Sequence, residues 1–309
     1  MASQTLVEAQ KFIQNQIVAG VAQDIISINP MYSLLPFTPY SGQAILINRE
    51  NALGDAAVFG VDATITAKAA ATFTQTPYTA VSIIGDAELN GLVRAQSVGA
   101  GVDQMAIEIS SKAKSVARTY QQGMATGAGT AGTLNSYHSL CDSGQYTTAS
   151  AGQALSFALL DELLALVTAK DGQVDWITLP SRTLNAYRVL LRALGGNSME
   201  NVTLPDGRIV AAYNGIPVFR NDYLSVIETA NGAALTGGAL TSCYAGVFDD
   251  GTEKVGLSAI HPAASPAGID VEVIGKLEGK DSELVRVKQY VQTVMFNRRG
   301  LARLPSINN

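Results

Sequence analysis

The sequence predicts an α+β fold with elements that reach beyond their own core, and three observations predict it. Helical and extended patterns are interspersed along the 309 residues without the regular strand–helix–strand rhythm of a parallel sheet. One run, Val58 to Phe73, alternates for sixteen residues, with Phe59, Val61, Ala63, Ile65, Ala67, Ala69, Ala71 and Phe73 all apolar. That period of two marks an extended chain with one apolar face; unbroken, it spans ~50 Å, several times an ordinary strand. Finally, charged residues make up only 15% of the chain at an ordinary apolar content of 47%, against ~25% charged in typical globular chains. Such a deficit fits a surface covered by other subunits, although a surface rich in Thr, Ser, Asn, Gln and Gly produces it too. The preferred reading is an assembly subunit, not an enzyme.

The elements follow in chain order. Thr5-Leu6-Val7-Glu8 has the pattern of a capping box, and Leu6, Ala9, Ile13 and Ile17 recur at helical spacing, so residues 5–21 read as an amphipathic helix. Pro30, Pro36 and Pro39 then force an extended, meandering arm. Residues 44–84 read as a long two-stranded excursion: a strand from Ala44, a loop around Gly54, the alternating run, an interruption at Thr76-Pro77, and a strand through Val81 and Ile83. Asp86 is placed as the N-cap of a long helix to about Gln122, ~55 Å if continuous, with a bend expected near Gly99. Residues 127–150 read as a flexible Gly/Ala/Ser/Thr loop. A helix is expected over 154–170, a buried strand over 175–179, a helix from Ser181 to Leu194, and a hairpin over 202–213 turned by Pro205-Asp206-Gly207. Short strands are expected at 217–219 and 243–248, and two alternating ones at 269–274 and 284–296.

Composition excludes several classes. Net charge is −5, which argues against general nucleic-acid affinity. No run of 18 apolar residues is present, and the first residues lack the pattern of a secretory signal. The chain is expected to be made and kept in the cytosol, without a membrane partner, and Cys141 and Cys243 are expected to be reduced. Gly127-Ala-Gly129-Thr-Ala-Gly132 matches a dinucleotide fingerprint in letters, but a helix precedes it where the motif needs a strand. With two histidines, His138 and His261, no paired-cysteine or histidine metal motif and no nucleophile elbow, no catalytic, metal or cofactor site is assigned. His261, in Ile-His-Pro-Ala, is placed in a loop. Lys280, Arg286, Lys288, Arg298, Arg299 and Arg303 concentrate near the end. They fit either a phosphate-contacting face or, preferably, ion pairs with acidic residues of adjacent subunits.

The order of these parts resembles the major capsid proteins of tailed bacteriophages, the Hong Kong 97 fold. Ala71-Thr-Phe73-Thr-Gln-Thr-Pro77-Tyr-Thr-Ala-Val81-Ser-Ile83 running into Asp86-Ala-Glu-Leu89 resembles the return strand of that family's extended loop entering its spine helix. Gly215-Ile-Pro217-Val218 resembles its G-x-P-V strand, Tyr244 to Gly251 the strand and turn after it, and Tyr290 to Leu304 its closing strand. The resemblance implies an N-terminal arm (1–43), an extended β loop (44–85), a peripheral domain with the spine helix (86–153), a mainly axial domain (154–265) and a return to the peripheral domain (266–309). It implies a shell of homo-pentamers and homo-hexamers around packaged double-stranded DNA, assembled in the host cytoplasm. Some members carry an N-terminal scaffolding segment; only about 40 residues precede the excursion here, so a separate scaffolding protein is expected in its place, beside a portal protein, with the presence of decoration proteins left open. An encapsulin-like compartment is the runner-up, and a soluble enzyme with dispersed carboxylates the remote alternative. The residues expected to touch neighbouring subunits are Leu6, Ile13, Ile17, Phe59, Val61, Ile65, Lys68, Phe73, Arg298 and Arg299.

Overall fold

The structure is a computed structural model that describes residues 29, 31–99, 103–147, 152–169, 172–193, 200–205, 207–251 and 255–308. The expected helix over 5–21, with Leu6, Ile13 and Ile17, lies outside the described residues. The arm that follows begins with a single helical turn, α1 (Met31–Leu34), whose Met31 is buried, and continues into strand β1 (Phe37–Tyr40). Strand β1 runs parallel to β10 (Leu257–Pro262) at the edge of the first sheet. An edge is where Pro39, with no N–H to give, is tolerated.

The first sheet runs in the order β1, β10, β12 (Ser282–Met295) and β11 (Asp270–Lys276), and β4 (Val81–Asn90) also pairs with β12 along ten residues. Asp86 therefore caps no helix. Its segment continues the strand: Ile83, Ala87 and Leu89 are buried, while Asp86 lies opposite Arg286 across the ladder. Asp-Ala-Glu-Leu satisfies a helical and a strand period equally well, and the basic residues of β12 decide between them. The expected long helix is two helices. These are α2 (Gly91–Gly99) and α3 (Gln104–Thr126), the latter about 35 Å long and capped by Asp103, whose carboxylate accepts the N–H of Ala106. The bend expected near Gly99 falls against residues 100–102, outside the described set. Helix α3 lays Val116, Tyr120 and Met124 on the sheet, and the Tyr120 hydroxyl bonds Thr293 Oγ1 at 3.0 Å.

The Gly-rich stretch after α3 is more ordered than a flexible loop. Gly129 N–H bonds the Leu134 carbonyl, Asn135 donates its side-chain amide to Thr293 O at 2.9 Å, and Tyr137, opening the short helix α4 (Tyr137–Leu140), is fully buried. A Cβ on Gly127 would stand 2.2 Å from the Leu134 carbonyl oxygen, so the close chain reversal there requires glycine.

Helices α5 (Phe157–Thr168) and α6 (Ser181–Ala193) and strand β5 (Trp176–Leu179) form as expected, α5 capped by Ser156. The hairpin of β6 (Asn201–Thr203) and β7 (Ile209–Tyr213) leads into β8 (Ile216–Arg220). With β9 (Thr241–Gly246) and β13 (Leu301–Ile307) these strands make a second sheet in the order β13, β9, β5, β8, β7, β6. Its central strands are covered on both faces, so their side chains alternate between two cores. Trp176, Phe219, Tyr244 and Leu301 join α3 and the first sheet, whereas Ile177, Val218, Cys243, Ala245, Ala302 and Leu304 join α5 and α6. Both cysteines are free and buried. His261, expected in a loop, sits on β10 with Nδ1 near the carbonyls of Pro262 and Ser265.

Candidate assembly surfaces

The excursion is a two-stranded ribbon of β2 (Ile45–Ala52) and β3 (Thr72–Tyr78), paired from Ile45 opposite Tyr78 to Ala52 opposite Thr72 with a register shift between Glu50 and Ala52, and joined to neither of the other sheets. Pro77 does not interrupt β3; it pairs opposite Leu46, and both strands of a two-stranded ribbon have a free edge that tolerates proline. The base is anchored. Arg49 Nη2 donates to the carbonyl of Met295 at 2.5 Å and to the Tyr78 hydroxyl at 3.1 Å, and the Tyr40 hydroxyl accepts the N–H of Ala80.

Beyond Ala52 the alternating run departs from expectation. Residues 53–71 carry no regular strand, and the chain reverses within the run. Ala63 N–H bonds the Gly60 carbonyl, and Asp62 takes φ +62°. The run is thus the tip of the excursion plus the start of its return strand, not one limb. Gly60 and a turn-tolerant aspartate make the reversal, and small Ala and Thr side chains give the tip little of its own to pack on. One hydrogen bond, Asp55 N–H to Ala69 O, crosses it at 2.9 Å.

The tip leaves its apolar side chains in water. Val58 and Val61 are 102% and 96% exposed, Leu53 79%, Phe73 67% and Ile65 60%; Phe59 is half-buried and Lys68 exposed. Each such side chain forgoes about 1.5–3 kcal/mol of burial. A row of them on one ribbon is the kind of surface that marks an interaction site.

The basic residues near the end are largely occupied within the subunit. Arg286 reaches both carboxylate oxygens of Asp86 at 2.8 and 3.0 Å, Lys288 bonds Glu272 at 2.6 Å with Asp270 at 3.6 Å, and Lys280 approaches Glu88 at 3.7 Å. Arg298 pairs with Asp142 at 2.8 Å. Arg299 is exposed and lines a cleft with Arg49, Glu50 and Asp142. Arg303 is fully buried and paired with Glu228. The expected phosphate face, or face of pairs to other subunits, is therefore corrected for Arg286, Lys288 and Arg303. Cross-strand pairing on β4, β12 and β11, and burial in β13, already use their charges. A lone arginine inside the apolar run Leu301-Ala-Arg-Leu304 was the available signal for the last.

The Asp86 pair has a pH signature. The guanidinium of Arg286, bonded through two N–H groups, holds the Asp86 carboxyl below its ordinary value, against the opposing effect of partial burial. The group therefore contributes stability above the ordinary carboxylate pKa, lost as pH falls through the lowered one. Asp86→Asn is expected to destabilise at pH 7 in low salt. The difference from the parent chain should shrink in 1 M salt and below about pH 3; urea titrations over that grid check it.

Among the described residues no cluster of three or more His, Cys, Asp or Glu side chains could hold a metal ion, and no helix is long and apolar enough to cross a membrane.

No protein-family model matches the chain, and neither does any curated protein. Solved structures match over nearly all of it. The capsid asymmetric unit of cyanophage A-1(L) superposes with a TM-score of 0.70 at 13% identity, covering 99% of this chain and 100% of that one. The holo-SrpI encapsulin complex from Synechococcus elongatus gives 0.69 at 15% identity, covering 99% and 96%. The capsid of the native GTA particle gives 0.66 at 12% identity, covering 99% and 100%. At these identities the likeness is one of fold: the chain has the α+β architecture of Hong Kong 97-type capsid and encapsulin subunits, as the order of its motifs implied.

Proposed function

We propose that this chain is the major capsid protein of a tailed phage, a shell subunit without catalytic chemistry. It assembles in the host cytoplasm with copies of itself into pentamers and hexamers of an icosahedral head around double-stranded DNA. The observation that carries the reading is the tip of the β2–β3 ribbon, most of whose apolar side chains are exposed in the single subunit, Val58 and Val61 almost completely. A two-stranded ribbon is marginal alone, and a neighbouring copy of the same fold is the partner that covers it. The likeness to the capsids of cyanophage A-1(L) and of the native GTA particle supports the same reading. The acidic balance of the chain, −5, suits a container that does not hold its genome by charge. Under this reading Phe59, Val61, Ile65, Lys68 and Phe73 contact the neighbouring subunit, as do Arg298 and Arg299. Scaffolding and portal proteins are its separate partners.

The likeness to an encapsulin complex favours a second reading, a protein compartment. Electron microscopy of the purified chain tests the shell: closed particles are expected, and a 32 kDa monomer under all assembly conditions overturns it. Particles from the native source containing nuclease-protected double-stranded DNA support the phage head, whereas particles filled with protein support the compartment.

A further inference from the structure

The segment that joins helix α3 to the second sheet is held down by a buried polar cluster. Arg303, on β13, is fully buried and spends its donors in four directions. Its Nη2 bonds Glu228 Oε2 at 3.0 Å, its Nε bonds Ser242 Oγ at 3.0 Å, and Tyr146 supplies a further hydrogen-bond partner. Its Nη1 meets His138 Nδ1 at 2.6 Å. The Ser242 hydroxyl in turn donates to Glu228 Oε2 at 2.5 Å, and the rings of Tyr146 and Tyr244 flank the guanidinium at 5.4 and 5.7 Å. Because a guanidinium only donates, His138 must offer a lone pair at Nδ1 and carry its proton on Nε2. The contact exists only while the imidazole is neutral.

We propose that His138 and Arg303 form an acid-released latch clamping residues 134–147 onto the second sheet. Protonation of His138 at Nδ1 turns an acceptor into a second donor facing Nη1, and it places two cations against one carboxylate in a buried site. The groups facing His138 and Arg303 are Glu228 from the loop before β9, Ser242 and Tyr244 from β9, and Cys141, Asp142 and Tyr146 from the clamped segment. Burial raises the Tyr244 hydroxyl and pushes the Cys141 thiol up to about 12, so neither changes charge in acid. Asp142 is engaged by Arg298. Burial first, and Arg303 second, bring the imidazole down to about 4, while burial pushes the Glu228 carboxyl up despite Ser242 and Arg303. On acidification the cluster gains a positive charge at His138 and loses its only buried negative charge at Glu228, and both changes act to open it.

What the latch holds is specific. Thr147 N–H bonds the Arg303 carbonyl, Gln145 Nε2 bonds the Arg299 carbonyl at 2.7 Å, and the Tyr137 ring lies 5.5 Å from that of Trp176. Release would loosen the joint between helix α3 and the second sheet, while leaving the core around α5 and α6 intact. The inference concerns the subunit and does not depend on the shell reading.

Trp176 is the chain's only tryptophan and sits against the residue preceding His138, so it reports the event. Its emission and the far-ultraviolet circular dichroism of the full chain are followed from pH 7 to 3, alongside the His138 imidazole by NMR. The expected result is an emission change centred near pH 4 that precedes loss of ellipticity and coincides with His138 protonation. His138→Gln keeps an acceptor but cannot be protonated, and should lose that step or move it down by about one pH unit or more. The same midpoint in His138→Gln as in the parent chain overturns the proposal. So does an imidazole titrating near the ordinary 6.5 with no emission change there, a result that needs no variant to fold.

Discussion

Val61→Asp and Ile65→Asp are each expected to abolish closed particles in electron microscopy and leave the subunit folded. The two side chains are 96% and 60% exposed in the single subunit, so neither substitution removes a contact from the subunit's core. Surface changes of that kind fall within about 0.5 kcal/mol of the parent in stability. In an assembled shell the same positions would be covered. Truncating a well-buried anchor at an interface costs about 2 kcal/mol or more, and burying an unpaired carboxylate adds to it. The loss recurs at every copy of the contact, so a modest penalty per subunit becomes decisive for a closed lattice. Circular dichroism and urea unfolding on the same samples separate the outcomes. Unfolded subunits would return these side chains to the chain's own core. Normal particles from both variants would show that the tip is not an interface, and would remove the main support for the shell reading.

The tip also shows what was legible in the sequence and what was not. Its apolar character was plain in Val58 to Phe73, but the strand was not, because period-two spacing describes side-chain order and not hydrogen bonding. Here the alternation runs through a reversal at Gly60 to Ala63, and regular pairing starts only at Thr72. Helices α5 and α6 and the hairpin of β6 and β7 were legible because local signals specify them: the apolar stripe of Leu155, Leu159, Leu163 and Val167, and the turn-forming residues Pro205-Asp206-Gly207 in the sequence. Where two local readings tie, distant residues decide. Asp86-Ala-Glu-Leu89 is a strand because β12 lies beside it, with Arg286 opposite Asp86. The same limit hid the latch: Arg303, counted among surface charges, is buried by a β9 ladder some sixty residues earlier in the chain and by a loop turn at Glu228.

Arg303→Met is expected to be the most destabilising single change in the second sheet, costing about 3–5 kcal/mol, because it strands a carboxylate in the interior. Glu228 is 1% exposed and would keep only Ser242 as its hydrogen-bond donor in the cluster. His138 and Tyr146 would lose a partner as well. The pH dependence identifies the cause. Burial already raises the Glu228 carboxyl even with the guanidinium beside it; without that cation the folded-state value rises further above the unfolded one, near 4.3. A carboxyl whose folded pKa is raised costs stability as pH climbs from the unfolded value through the folded one. The deficit of Arg303→Met should therefore be larger at pH 8 than at pH 5, whereas the deficit from losing a surface ion pair is already complete by pH 5 and flat above it. Adding Glu228→Leu removes the stranded charge and should restore most of the loss, since apolar replacement of a buried pair is often neutral or better. Urea unfolding of both variants at the two pH values provides the comparison. A deficit independent of pH and not relieved by Glu228→Leu would mean that Arg303 contributes through packing against Tyr146 and Tyr244, with its charge of little consequence.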